Sequence, residues 1–447
     1  MLNYIWLGLI LLAVIIGGCN HQLKEVTDKA FEMAEFAVMK TALPLVGIMA
    51  LWLGIMRLAE RAGLVAMFAR ALRPLLRWLF PDVPPEHPAM GSMVLNIAAG
   101  ILGLGNAATP LGLRAMKDLE SLNPHPGTAT NSMCTFLAIN TSSIQLIPAT
   151  AIAILAANGS TNPTAIVGTS IIATTCAAIS GVTAAKLLQH LPVFRTATPA
   201  TPNGASNLHA QSAAAEISGP LSVEPPHALK WCGKLVLLIF FAFFCYLFIR
   251  LAFPALIGAQ PQPDFLGQKA FIRIVNAVSQ LSIPFLLAGF PLYANLRRVR
   301  IYEEFVEGAK EGFEVALKII PYLVAILVAI GMFRAAGGID LLSRALHPIM
   351  QAVGFPPDLL PMVLMRPLSG SGTLGMFAEL VKQCGPDSLV SRMGGTVYGS
   401  TETTLYVLAV YFGAVGIKRT RHALLAGITA DTVGVIASVI VCRAVFG

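Results

Sequence analysis

YGSTETTLYVLAVYFG, residues 398–413, joins two kinds of chain. From Leu405 onward it is apolar enough for the centre of a lipid bilayer. Just before that, Gly399, Ser400, Thr401, Glu402, Thr403 and Thr404 crowd together at nearly the same depth. An ionisable side chain at membrane depth costs on the order of 3 kcal/mol or more, and it persists where it faces a bundle interior or a wet cavity. The stretch therefore reads as a membrane helix interrupted at a polar site.

The rest of the chain supports that environment. Of 447 residues, 55% are hydrophobic and only 12% charged, with a mean hydropathy of +0.71. A soluble chain of this length carries about twice that charge. Apolar runs near twenty residues long give the fold class: an all-α polytopic membrane protein. The net charge of +8 then reflects Lys and Arg on the cytoplasmic side rather than a nucleic-acid surface. The cysteines are scattered without metal-ligand spacing and read as packing residues. MLNYIWLGLILLAVIIGGCN lacks the basic start of a secretory leader and has a poor lipobox before Cys19, so it is expected to be an uncleaved first helix.

Residues 189–230, rich in Pro, Ala, Ser and Thr, cannot bury enough apolar surface to fold alone and read as a cytoplasmic linker. The segments on either side repeat each other. PLVGIMALWLGIMR from Pro44 matches PYLVAILVAIGMFR from Pro321, with Gly54 on Gly331 and Arg57 on Arg334. RALRPLLRWLFPDVP from Arg70 matches RALHPIMQAVGFPPD from Arg344, and an acidic-basic amphipathic segment precedes each span. The expected units are a first repeat at 1–188, the linker, a connecting span at 231–252 and a second repeat at 253–447. Crossings are expected at 2–18, 42–60, 128–157 and 164–188, then at 269–293, 318–336, 391–412 and 422–445. The unpaired connecting span inverts the second repeat. The N-terminus then lies in the cytoplasm and the C-terminus in the periplasm or outside, in a bacterial inner membrane. Arg61, Arg70, Arg73, Arg77, Arg297, Arg298, Arg300, Lys418, Arg419 and Arg421 fall inside, as the positive-inside rule requires, while Lys24, Lys29 and Lys40 fall outside among acidic residues.

Both repeats carry a Gly-rich interruption, GLGNAATPLG from Gly103 and LSGSGTLG from Leu368, flanked by apolar arms too short to cross. A re-entrant hairpin fits such a pattern, and irregular backbone at membrane depth survives only beside protein or water. One interruption alone would suit a close helix-packing face. A matched pair in inverted repeats points to a transport site. Each repeat then carries a polar break: INTSSIQLI from Ile139 and GSTETTLYV from Gly399, with Asn140 on Ser400, Thr141 on Thr401 and Ser142 on Glu402. Pro148 follows the first break and removes a backbone donor.

The expected solute-binding residues are Asn106 and Thr109; Asn140, Thr141, Ser142, Ser143 and Gln145; Arg366, Ser371 and Thr373; and Ser400, Thr401, Glu402 and Thr403. Freed backbone groups and half-helix dipoles hold charged groups, and the amides and hydroxyls give directional recognition. Glu402 is expected to face the other break across a pseudo-twofold axis. It would bind a cationic or hydroxyl-bearing part of the solute or carry a coupling proton. A glutamate merely satisfied by Arg366 is the blander alternative. Asp431 is the second ion-coupling candidate, with helix packing as its alternative, and Asn96 aligns loosely with Arg366. The histidines fall at ends and loops, His347 matching Arg73, and no P-loop, zinc-protease helix or nucleophile elbow is present.

GLGNAATPLGLRAM and FLAINTSSIQLIPAT resemble spore maturation protein A. YEEFVEGAKEGF, RPLSGSGTLG and GGTVYGSTETTLYVLAVYFGAVGIKRTRH resemble spore maturation protein B. The resemblance reaches over nearly the whole chain outside the linker, as a fusion of the two. Both belong with the nucleoside-recognition, or gate, domains of concentrative nucleoside transporters and ferrous-iron transporters. That resemblance implies inverted repeats with two re-entrant hairpins and two broken helices, and a Thr-Glu pair at the site, here Thr401-Glu402.

The function these readings favour is a secondary transporter of a small polar solute, nucleoside-like, an amino acid or a similar metabolite. It would work by alternating access at a midplane site, coupled to Na+ or H+, with no metal or other cofactor. Its expected partners are the solute and the lipid bilayer, with self-association into a homo-oligomer left open and no nucleic acid. The alternative is a non-transporting scaffold or receptor for envelope or signalling partners. A membrane enzyme has thin support, since isolated carboxylates lack a metal cluster or a nucleophile-base pair.

Overall fold

A computed structural model of the chain describes residues 2–103, 105–194, 231–258, 268–338, 341 and 355–447, and of these the backbone alone at 2, 3, 5, 105–107, 315, 316, 318 and 319. Most of the linker, the RALHPIMQAVG segment with His347, and the Asn106 side chain lie outside the described residues.

The described chain is helical, with a single isolated β-bridge between Thr128 and Arg419. The first repeat holds α1 (Leu2–Cys19), α2 (Leu23–Glu35), α3 (Leu43–Arg61), α4 (Leu64–Leu79), α5 (Pro88–Ile101), α6 (Gly105–Glu120), α7 (Asn131–Thr141), α8 (Ala149–Ala157) and α9 (Ile166–Leu188). After α10 (Trp231–Ala252), the second holds α11 (Ala270–Leu296), α12 (Ile301–Ala335), α13 (Leu360–Met365), α14 (Gly370–Cys384), α15 (Leu389–Ser400), α16 (Thr404–Gly413) and α17 (Ala423–Phe446).

Among the described residues, five helices are long and apolar enough to cross a membrane: Leu23–Arg61, Pro163–Leu188, Trp231–Ala252, Ala270–Leu296 and Ala423–Phe446. The expected crossing at 42–60 is longer than anticipated, because α2 runs into α3 through a widened π-type turn at Phe36–Ala42. That turn shifts the hydrogen-bond register just ahead of Pro44, where the missing N–H is tolerated. In the second repeat the acidic-basic segment and the apolar span likewise form one helix, α12.

Repeat-matched helices pack on each other. A Cβ on Gly308 of α12 would lie 2.6 Å from the Leu53 carbonyl, and one on Gly312 would lie 2.6 Å from Ala50 Cα. At the far end, Gly331 meets Met33, so α3 and α12 run antiparallel. Arg57 donates from Nε to Glu304 at 2.9 Å and also pairs with Glu311, while Arg61 reaches Glu304 at 3.1 Å. α9 and α17 form the second antiparallel pair, with Gly181 against Ala430 and Gly434 against Ala177. Helix α1 packs on α12, with the Trp6 indole N–H donating to the Ala325 carbonyl at 2.9 Å, and its match α11 packs on α3.

Loops from the two repeats clasp each other at both ends. At one end the N–H groups of Lys418 and Arg419 donate to the Gly127 carbonyl, and Ala129 N–H donates to Arg419 O at 3.0 Å. At the other, Asp387 accepts from Ser160 Oγ at 2.6 Å, Thr161 N at 2.9 Å and Thr161 Oγ1 at 2.8 Å. Burial works against charge on Asp387, but these donors outweigh it and hold the carboxyl at about 2, so it is ionised at neutral pH.

Candidate functional site

Each interruption seen in the sequence is a helical hairpin. α5 and α6 pack along each other, and the turn after α5 puts Gly103 in the left-handed region at φ 78°. In the second repeat α13 and α14 are joined by Arg366–Ser369, where the Ser369 hydroxyl caps α14 by accepting from Gly372 N–H.

Each hairpin tip grips the broken helix of its own repeat in the same way. Leu146 N–H donates to the Ile101 carbonyl at 3.0 Å, and Leu405 N–H donates to the Pro367 carbonyl at 3.0 Å. A tip carbonyl therefore serves a donor released by each break. Ser143 in the first break adopts φ 47°, a costly conformation for a non-glycine residue. The two breaks touch, since Glu402 N–H donates to the Thr141 carbonyl at 3.0 Å. Gly399 leaves room for Pro148, whose Cβ would lie 2.5 Å from any added methyl.

Beside this crossing lies a cavity of about 340 Å³. Asn96, Gly103 and Thr109 of the first hairpin, Asn140, Ser143 and Gln145 of the first break, and Thr150 at the start of α8 face it. Glu402, Tyr406 and Tyr411 come from the second repeat, and Met49 and Trp52 from α3. Two buried polar atoms on this wall have no hydrogen-bond partner, the Trp52 Nε1 donor and the Asn96 Oδ1 acceptor. Unpaired buried groups of this kind cost about 1–3 kcal/mol each. Glu402 is the one carboxylate among the lining residues, which include no Lys, Arg or His.

Of the expected site residues, Thr109, Asn140, Ser143, Gln145 and Glu402 line the cavity. Thr141 and Ser142 do not. Their hydroxyls turn back to Ala138 and Ile139, while the Ser142 carbonyl accepts from Thr174. Ser400 is buried against Ser438 at 3.0 Å, Thr401 donates to the Val397 carbonyl at 2.8 Å, and Thr373 donates to the Ser369 carbonyl at 2.6 Å. Ser371 lies 3.4 Å from the Ser369 hydroxyl, and the Thr403 hydroxyl turns to Glu402 at 3.4 Å. These groups brace the hairpins and breaks from behind.

Arg366 also differs from expectation. It is 3% exposed and lies off the cavity wall. Its guanidinium donates to Thr401 Oγ1 at 3.1 Å, to the Tyr398 carbonyl at 3.0 Å and to the Thr401 carbonyl, and it sits over the Tyr398 ring. These carbonyls end α15, so the cation caps a half-helix at its negative pole. Its contact with Glu402 is looser, at 3.9 Å. The blander reading, a glutamate consumed by arginine, therefore describes only part of the geometry. Asp431 is buried against Thr404, away from the cavity.

Trp52, Tyr406 and Tyr411 are site residues that sequence reasoning missed. A tryptophan inside an apolar span is a usable signal, because its N–H needs a partner when buried. A smaller cavity of about 200 Å³ lies apart from the breaks, between Asp82, His125 and Arg421. Among the described residues no group of His, Cys, Asp and Glu gathers as a metal site would.

Comparison with known proteins places this geometry. A family described as nucleoside recognition, or Gate, matches residues 42–158 and 316–418, covering the hairpins and breaks of both repeats. Spore maturation protein B of Bacillus subtilis (strain 168) is 48% identical over 176 residues, which is 39% of this chain and 99% of that protein. Spore maturation protein A of the same organism is 44% identical over 182 residues, 41% of this chain and 92% of that protein. No solved structure matches. The chain is a membrane protein of the spore maturation protein A and B family, built on the nucleoside-recognition Gate domain.

Proposed function

We propose that this protein is an ion-coupled secondary transporter of a small polar solute in a bacterial inner membrane. The observation that carries the reading is the cavity itself. One hairpin and both helix breaks converge on it, Glu402 lines it, and the unpartnered Trp52 N–H and Asn96 Oδ1 are buried within its lining residues. Paired broken segments around one polar cavity are the usual construction of a transport site.

The repeats are read as inverted, with the N-terminus cytoplasmic. Antiparallel packing of matched helices supports this, because a twofold axis that turns a helix end over end must lie across it. Ala177 and Gly434, which touch where α9 crosses α17, would lie beside that axis. The hairpins are then re-entrant, and access alternates as the halves rock about the breaks.

The lining favours solutes without negative charge. Glu402 faces the cavity with no basic residue on the wall, and aromatic faces are available from Trp52, Tyr406 and Tyr411. A nucleoside-like solute, the class named by the family description, is the first to try. The purified protein should be screened by thermal shift against nucleosides, amino acids, short peptides and organic acids. Compounds that raise its melting temperature should then accumulate in liposomes containing it, and organic acids should fail. Stabilisation without any uptake would contradict the transporter reading.

A further inference from the structure

Asp431, buried in the middle of α17, has a geometry that the solute site does not use. It is 5% exposed; its Oδ2 accepts from Thr404 Oγ1 at 2.6 Å, and its Oδ1 has no hydrogen-bond partner. Small residues one turn away, Gly427 and Gly434, let neighbouring segments pack closely on either side of it. α16 and α7 place Thr404 and Thr141 at Gly427, while α9 and α15 place Ala177, Thr401 and the Ser400 carbonyl at Gly434. The charged groups acting on it are Arg366 and Glu402.

One cation thus serves two carboxylates; its Nε and Nη2 are committed to Thr401 and Tyr398, and its Nη1 lies 3.9 Å from Glu402. With both carboxyls ionised, the cluster would carry a net negative charge, and one Asp431 oxygen would hold charge with no donor. That is the least tolerable arrangement in a low-dielectric interior. A proton on Oδ1 removes the charge and requires no space. A metal ion would need a cage of oxygens, and neither cavity described above has Asp431 on its wall.

We propose that Asp431 is the proton-carrying residue of this protein, held as the neutral acid in the present conformation. The inference rests on the transporter reading and names its coupling ion. On release the Oδ1–H bond breaks, the proton passes to water, and a carboxylate remains beside Thr404. That charge competes with Glu402 for Arg366, the residue that fixes the end of α15. Proton loss therefore loosens the second break, and with it the cavity wall that carries Glu402 and Tyr406.

Infrared spectroscopy of the full-length protein in lipid tests this without a known solute. At neutral pH the wild type should show a protonated-carboxyl band, one component of which is absent in Asp431→Asn and retained in Glu402→Gln. A component common to all three belongs to another carboxyl and does not bear on the assignment. If Asp431→Asn does not fold, Asp431→Glu should shift the same component in frequency. Loss of the component in Glu402→Gln instead, or an unchanged spectrum in both Asp431 variants, would overturn the assignment. The band does not depend on uptake: its absence from an actively transporting protein sinks the proton assignment alone. A protein that shows the band but moves no solute sinks the transporter reading.

Discussion

Replacing Glu402 with glutamine should weaken solute binding ~10- to 100-fold, about 1.5–3 kcal/mol, the usual value of a hydrogen bond to a charged group. The fold should survive. The carboxylate accepts from Thr403 N–H at 3.1 Å, which an amide oxygen can also do, and its contact with Arg366 is long at 3.9 Å. Arg366 keeps its partners at Tyr398 and Thr401. Titration calorimetry with any solute from the screen checks this, alongside the melting temperature of the unliganded variant. Binding within about twofold of the wild type would remove Glu402 from recognition, since even one neutral hydrogen bond contributes more.

The second large effect falls on stability. Gly312→Ala should destabilise the protein by ~1–3 kcal/mol, as overpacking a close contact does. The added methyl would meet Ala50 Cα at 2.6 Å and the Met49 carbonyl at 2.7 Å, so helix backbones must separate to admit it. Gly47→Ala is the matched control on α3, where nothing lies within 4 Å. There the change should be neutral, or stabilising by about 0.5–1 kcal/mol through helix propensity. Thermal unfolding in one detergent compares the two. Equal melting temperatures would mean that the α3–α12 contact is not the close, rigid pair described here.

Much of this architecture was legible because membrane depth makes local anomalies expensive. Pro148, Gly399 and the hydroxyl clusters mark both breaks, and the structure places helix ends at Thr141 and Ser400. The contact of Glu402 with the opposite break was also foreseen from the repeat match. What the sequence concealed was direction. Ser400, Thr401 and Thr373 carry the same hydroxyls as Thr109, yet turn toward carbonyls and neighbouring helices, because a break has an inner and an outer side. Arg366 was visible as an intramembrane cation, but its carbonyl partners depend on where a hairpin tip meets a helix end. Trp52 enters the cavity only because α3 packs beside the first hairpin and break, a long-range fact without a local pattern.

The hairpins also differ in a way that bears on movement. Both use a tip carbonyl to hold a broken helix, and the second adds the buried Arg366 guanidinium. On the transporter reading, that guanidinium anchors the second hairpin to the end of α15.

The central claim is that the cavity between the breaks is wet and opens to each side of the membrane in turn. Thr109 lines it, and a cysteine placed there, with the exposed Cys19 and Cys232 and the partly exposed Cys176, Cys245 and Cys384 replaced by serine, reports access directly. In proteoliposomes a membrane-impermeant thiol reagent should modify Thr109→Cys from either side, and bound solute should slow the reaction. Modification from neither side, or from one side alone under every condition, would contradict the account.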